Sequence, residues 1–540
     1  MTIEVVSTSV SGAVDTAEPT LQLLNRPPIT YRQALDTDKN IIHEASYVEA
    51  TNVQYQKLWE ERDLIRALVN HHLTLKDGDN CVVADPRRWI RGSFNVCIPI
   101  EVQSTTSPCR KLLLRCAMPH KLAEAKYPGS IDEKMGCEVG AYAWMQERCS
   151  TIRIPNLYGF GFSDHSHSLQ FTHEAYRSLF VRSIHRLRRW FRRLAGYTTL
   201  LSRYISHPTM HRLSTPYMLL EDVSSDTSEM LSNTWDEHRT DPARRKRLFR
   251  GIAQLMLSLA RVPQPRIGSF RFHDDGSVTL TNRPLICSTM ILENDGTPRT
   301  IQRNNTYLST DAFVADLFNF HDKRFLSHPN AVFDNESCYS EMATRVLLRA
   351  VSHHYIRKDQ RNGPFFLQLD DFHASNIFVD KDWNITCVID LEWISSLPVE
   401  KLAVPYWLTG SAIDDIHEHL TEFDIVRREF MDIFEEEERE AAAEHSLSLA
   451  HIMRENWESG SVWFWYGITS INAMYSLFTD HLCRRFLHRR LSLKEEELIA
   501  RFWSEDASEV VECKVKEYHG YERNLRGLFD KGVTKNRQAR

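Results

Sequence analysis

The stretch FLQLDDFHASNIFVDKDWNITCVIDLEW, residues 366–393, decides the reading of this chain. Ile377-Phe378-Val379 and Thr386-Cys387-Val388-Ile389 are apolar and rich in β-branched residues, and the turn at 380–384 between them predicts a hairpin. Folding back in this way gathers Asp371, Asn376 and Asp390 at the hairpin mouth, at the spacings D-x4-N and N-x13-D. Two carboxylates and an amide so placed suit phosphoryl transfer. One carboxylate orients an attacking hydroxyl, while the amide oxygen and the second carboxylate hold Mg²⁺ against phosphates. Spacing also selects between adjacent acids, because Asp371 and not Asp370 lies five residues before Asn376.

Around this stretch, 540 residues at 42% hydrophobic and 10% aromatic can bury a large core, in two domains or one two-lobed unit. A net charge of −6 speaks against a general nucleic-acid binder. Eleven cysteines without a CxxC pair predict reduced thiols. The opening MTIEVVSTSVSGAVDTAEP lacks the charged start and apolar core of a secretory signal, so a cytoplasmic location is expected. The aromatic run from Ser461 is broken by Thr469, Ser470 and Asn472, which predicts a buried helix and no membrane span.

Residues 1–40 are Ser/Thr/Pro-rich without periodicity and are expected to form a disordered tail. Residues 41–76 carry a helical stripe of Leu58, Ile65, Leu68 and His72. Strands are expected near 81–84, 94–102, 111–116 and 217–220, with a helix over 131–148. Asp241-Pro242 opens a helix whose stripe is Leu248, Ile252, Leu255 and Leu259. A hairpin turns at Asp274-Asp275-Gly276, and the chain beyond 400 reads as helical. His71-His72 and His353-His354 lack convergent ligands and read as surface or core histidines.

The hairpin, its D-x4-N and the IDLEW that closes it resemble the aminoglycoside phosphotransferase and choline kinase family, which is related in fold to protein kinases. In that family Asp371 corresponds by position to the catalytic base, and Asn376 and Asp390 to the metal ligands. Leu369 and Asp370 stand where the family has His-Gly. The resemblance covers roughly 80–410 and implies an α+β, bilobal, protein-kinase-like fold. A small antiparallel-sheet lobe would span 41–223, with a helical insertion near 164–215, and a larger, mainly helical lobe would span 224–540. It further implies ATP and Mg²⁺ as cofactors and a small-molecule hydroxyl as acceptor. Segments 267–270 and 281–285 look like a hairpin insert common in fungal members.

By the same resemblance Gly92, Ser93 and Asn95 fall in the loop over the ATP phosphates, though these residues equally suit a plain hairpin turn. Arg115 stands where the family has a phosphate-binding Lys, and Glu138 matches the helix Glu that pairs with it. The backbone around Glu221 would seat adenine. A kinase-like protein that binds nucleotide or a partner without turnover is the alternative. Residues 177–194 form a basic amphipathic segment, with Phe180, Ile184, Leu187, Phe191 and Leu194 on one stripe and arginines off it. It offers a possible partner surface, but the simpler expectation is a helix packed by its stripe with solvated arginines.

Overall fold

The computed structural model describes residues 19–538 apart from 77, 105–107, 164–169, 226, 414 and 442–446, with side chains up to 530. Its sheets are antiparallel and its later half is mostly helical. Helix α1 (Ile41–Glu60) starts at Asn40, whose side chain accepts from the His43 N–H, and α2 (Arg62–Leu73) follows at once. Leu58, Ile65, Leu68 and His72 are all buried, as their spacing predicts. His72 hydrogen-bonds Thr172 and Tyr217, each at 2.8 Å, and burial holds its imidazole down to about 3, so it is a neutral core residue.

Strands β1 (Asn80–Val83), β2 (Asn95–Gln103) and β3 (Arg110–Ala117) lead into helix α3 (Ser130–Arg148). Then come β4 (Leu157–Gly161), β5 (Gln170–His173), helix α4 (Leu179–Leu194), β6 (Tyr204–Ser206) and β7 (Tyr217–Glu221). Their order in one sheet is β6-β5-β4-β7-β3-β2-β1. The side chains of Val96, Ile98, Ile100 and Val102, with Leu112, Leu114 and Cys116, cover α1 and α2. Because strand side chains alternate, Arg115, Cys97 and Asn95 turn to the other face, where α3 lies. The expected insertion at 164–215 is thus part of the sheet, since β5 and β6 extend it; residues 164–169 lie outside the described residues.

Helix α5 (Pro242–Ala260) is capped by Asp241, which accepts from Ala243 and Arg244 N–H, and it buries the predicted stripe. Beyond it come β8 (Gly268–Phe272), β9 (Ser277–Asn282), β10 (Phe366–Leu369), β11 (Ile377–Val379), β12 (Ile385–Val388) and β13 (Ile394–Leu397). A second sheet runs β10-β13-β8-β9 and ends on the short strand Leu200–Leu201. Helix α3 fills the space between the two sheets, with Tyr142, Trp144, Phe270 and Leu391 in one core. The predicted aromatic helix, Ser461–Thr469, buries Trp463, Phe464 and Trp465. Among the described residues no helix is long and apolar enough to cross a membrane. All eleven cysteines are free thiols.

The tail expected at 1–40 is corrected from residue 19 onward; 1–18 lie outside the described residues. Strands Thr20–Leu21 and Ile29–Thr30 pair, and Leu23, Ala34 and Ile41 pack against Tyr521, Leu525 and Phe529 of the last helix, Ala507–Gln538. The apolar residues here have no local periodicity because their partners lie almost 500 positions away, as in the Ile41 N–H bond to Tyr521 Oη at a separation of 480.

Gly140 sets how closely α3 meets the second sheet, since a Cβ there would sit 2.6 Å from the Phe270 Cβ. Gly→Ala inside a helix normally stabilises by roughly 0.5–1 kcal/mol. Here Gly140→Ala is expected to destabilise by about 1–3 kcal/mol, as overpacking does. The urea midpoint would be measured; an unchanged or raised midpoint would contradict this packing.

Candidate functional site

The predicted hairpin is present as β11 and β12, with Ile377 opposite Val388. Its open end joins the three residues read from the sequence. The Ile389 N–H donates to Asn376 O at 2.9 Å, which sets Asp390 beside Asn376. Asn376 Nδ2 donates to the Asp371 carbonyl at 2.8 Å, and this fixes the loop that carries Asp371. With its N–H₂ so used, Asn376 presents Oδ1, which accepts no hydrogen bond among the described residues. Asp390 adopts φ 62°, the left-handed region, which Gly enters freely and Asn and Asp only occasionally. Strain of this kind persists where surrounding contacts over-determine it.

Those contacts come from Arg115. Its Nη1 donates to Glu138 at 2.8 Å, and its Nη2 reaches Asp390 Oδ1 at 2.5 Å and Glu392 at 2.6 Å. Lys134, one helical turn before Glu138, bonds Glu392 and also donates to Asn95 Oδ1 at 3.1 Å. Asn95 completes the circuit by donating to Glu392 at 2.9 Å. Arg115, Lys134, Glu138 and Glu392 are all buried. Three carboxylates against two cations leave one negative charge over. Burial, against the pull of Arg115 and Lys134 and with the push of Glu392 and Asp390, places that cost on Glu138, whose carboxyl rises to about 7. Burial also pushes Asp390 up, but Arg115 and then Lys134 outweigh it, and Asp390 stays below the usual carboxylate range.

The pairing of Arg115 with Glu138 matches the resemblance, but its contacts to Asp390 and Glu392 were not expected. Both of its Nη atoms are committed to carboxylates, so its place is that of an internal counter-ion rather than a free phosphate clamp. Lys134 and Glu392 went unread as site residues. Their signals were present: Lys134 precedes Glu138 by four on one helix face, and Glu392 belongs to the IDLEW motif.

Gly92 and Ser93 form the tight turn before β2, closed by Gly92 N–H to Asn95 O at 2.9 Å. The turn docks inward instead of standing open. Phe94 packs edge-on against Trp393 at 5.0 Å, and Asn95 is buried in the cluster. Glu221 lies at the end of β7, where its carboxylate accepts from Arg153 at 2.7 Å and from the Asn156 side chain at 2.8 Å. The Glu221 N–H donates to Asn156 O at 2.9 Å.

Of the adjacent acids, Asp370 is occupied by Lys401 at 2.8 Å and by the Cys287 N–H at 3.1 Å. Asp371 takes a hydrogen bond from the Cys287 side chain and approaches His373 at 3.9 Å, with no Lys or Arg paired to it among the described residues. Burial, followed by the charges of Asp370, Asp390 and Glu392, pushes the Asp371 carboxyl up to about 7. A carboxylate so placed can take up or release a proton near neutral pH. Against the same loop lies a pocket of ≈ 100 Å³ walled by Leu369, Phe372, Lys401, Tyr406 and Trp407.

Glu138, Asp390 and Glu392 offer ligand atoms within 4.8 Å of one another, but Arg115 and Lys134 already fill that space with positive charge. At the hairpin mouth, Asn376 Oδ1 and the second oxygen of Asp390 are left over, a donor set that suits a hard cation such as Mg²⁺. Glu392 Oε1 and Arg115 Nε are also buried without a hydrogen-bond partner. No family model matches the chain, and no curated protein matches it.

Removing Arg115 strands two buried carboxylates, Glu138 and Glu392, and the partly exposed Asp390 with Lys134 alone. Arg115→Ala is therefore expected to cost about 3–5 kcal/mol, the range for breaking a buried pair from one side. Urea unfolding checks this, and a loss below about 1 kcal/mol would mean the cluster is open to water.

Asp371 has the opposite character. Its carboxyl is raised in the folded state, so folding gains from its proton at low pH and loses that gain as pH rises through about 7. With a third of the side chain open to water, Asp371→Asn is expected to stabilise the protein by about 2 kcal/mol at pH 8. The difference should fade towards pH 4. A pH series of melting curves decides it, and a variant less stable than wild type at pH 8 contradicts the assignment.

Proposed function

We propose that this chain is a kinase-like phosphotransferase that moves a phosphoryl group from ATP to the hydroxyl of a small molecule, with Mg²⁺ required. The convergence of Asp371, Asn376 and Asp390 at one hairpin mouth carries the reading. The first sheet with α3 is read as the smaller, nucleotide-holding lobe, and the helical remainder as the larger lobe. This is the arrangement of the aminoglycoside phosphotransferase and choline kinase group that the sequence resembles.

Asp371 orients the acceptor hydroxyl and takes its proton, a role its raised carboxyl suits near neutral pH. The pocket against the same loop is lined by Asp370 and Phe372, the residues on either side of Asp371, with Lys401 and aromatic and aliphatic walls, and it is the proposed place for the acceptor. Asn376 Oδ1 and the free oxygen of Asp390 would hold Mg²⁺. When bound, Mg²⁺ would neutralise charge on the phosphate oxygens. Arg115 and Glu138 act behind this line by fixing Asp390 in its left-handed backbone, and the backbone at Glu221 receives adenine.

A second reading is a kinase-like protein that binds nucleotide or a partner without turnover. Its specific support is the commitment of both Arg115 Nη atoms to carboxylates, together with the inward turn at Phe94. ATP-dependent release of ADP that vanishes in Asp371→Asn belongs to the catalytic reading alone.

Calorimetry with ATP, with and without Mg²⁺, tests the site before any acceptor is known. Wild type is expected to bind ATP at least tenfold more tightly with Mg²⁺. Asp390→Asn should lose that dependence, and Asn, like Asp, can enter the left-handed backbone there. Asp371→Asn should bind within about threefold of wild type, since a base is not needed to hold nucleotide. No heat from wild type with millimolar Mg·ATP, or equal losses in the two variants, would sink the assignment.

A further inference from the structure

Helix α4 is mounted on the protein in the reverse of the expected sense. The simpler expectation put its apolar stripe against the body and its arginines in water. Instead His185 is its one buried residue, bonded through Nε2 to Ser202 O at 2.9 Å. The helix is held by its basic side. Glu147 receives Arg189 and, at 2.7 Å, Arg193, while Glu174 pairs with Arg186 at 3.3 Å. At 100° per residue, Leu179, Trp190, Leu194, Leu187, Phe180, Phe191 and Ile184 lie on one arc on the opposite side, with Ser183 its one polar residue. All seven are more than half exposed, from 52% at Ile184 to 78% at Leu179.

A contiguous apolar face of this kind on a folded protein marks a docking surface. Charge selects the occupant. The helix carries six arginines and no acid. Arg188 borders the arc at one edge, exposed and without an ion pair among the described residues, and Arg186 borders it at the other. A second copy of the helix would bring its own Arg186 and Arg188 against these, and an uncharged apolar partner would leave them unanswered. An anionic bilayer answers both, with acyl chains for the arc and headgroups for its edges. Trp190 near one margin and exposed Tyr197 just past the helix end are the residue types that settle at that boundary.

We propose that α4 lies flat on an anionic phospholipid surface and docks the protein there, with its apolar arc in the headgroup–acyl boundary and Arg188 and Arg186, at the edges of the arc, at the phosphates. The test is co-sedimentation of the full chain with vesicles of phosphatidylcholine alone, or with about 30 mol% phosphatidylserine. Wild type is expected to bind the serine-containing vesicles at least tenfold more tightly, and less so in high salt. Phe180→Ser with Phe191→Ser should lower that affinity tenfold or more, at an unchanged melting temperature because both side chains lie in water. Arg188→Glu should weaken binding to serine-containing vesicles about tenfold and leave any binding to neutral vesicles as it was. Failure of wild type to bind either vesicle overturns the proposal, and so does equal binding by all variants. A dimer in sedimentation equilibrium that Phe180→Ser with Phe191→Ser dissolves, in a protein that ignores vesicles, would assign the face to self-association instead.

Discussion

One guanidinium, Arg115, buried among Glu138, Asp390 and Glu392, is the interaction on which the site depends. It joins a strand of the first sheet, the helix behind that strand, and the segment after the hairpin 275 positions away. Taking these charges out of water is costly, and the cost is recovered only when each carboxylate meets a donor at close range. Lys134 and Asn95 supply the remaining donors. The cluster is therefore less a source of net stability than a constraint on geometry. While it holds, Asp390 keeps a backbone conformation that a lone Asp seldom adopts, and the hairpin mouth stays beside the sheet.

The same electrostatics divide labour among acids that look alike in the sequence. Asp390 is held ionised by Arg115, Asp370 is spent on Lys401 and a helix N–H, and Asp371 is bonded to the Cys287 side chain with the charges of Asp370, Asp390 and Glu392 around it. A metal ligand should be ionised at all working pH values, and a proton acceptor should titrate near neutrality. The environments of Asp390 and Asp371 separate them in this sense. The counter-ion role of Arg115 also bears on the proposed phosphotransfer. A nucleotide that needs this guanidinium has to draw it away from three carboxylates, whereas one held by Mg²⁺ and backbone leaves it in place.

Much of this was legible in the sequence, for reasons that are local. Alternating apolar residues, the turn at 380–384 and the Asp241-Pro242 helix start each encode their own geometry within ten residues, and each element formed where expected. The spacing from Asp371 to Asn376 and Asp390 is likewise local once the hairpin is granted. What stayed hidden was non-local. Lys134 and Glu392 meet only through the packing of α3 on the hairpin, and residues 19–40 find their core against the last helix. The periodicity of α4 showed that the helix has two faces, but not which one the body would take. Glu147 and Glu174, buried beneath it, decide that, and neither lies in the helix.

The central claim is that Arg115 fixes Asp390 so that Asn376 and Asp390, and not the acidic trio around the guanidinium, receive the metal. Crystals grown with Mn²⁺ and a non-hydrolysable ATP analogue test it directly, because Mn²⁺ gives an anomalous signal where Mg²⁺ does not. The account predicts an anomalous peak bonded to Asn376 Oδ1 and Asp390, with Arg115 still held by Glu138 and Glu392. A peak among Glu138, Asp390 and Glu392 with Arg115 displaced, or nucleotide bound with no metal peak at the hairpin mouth, would contradict it.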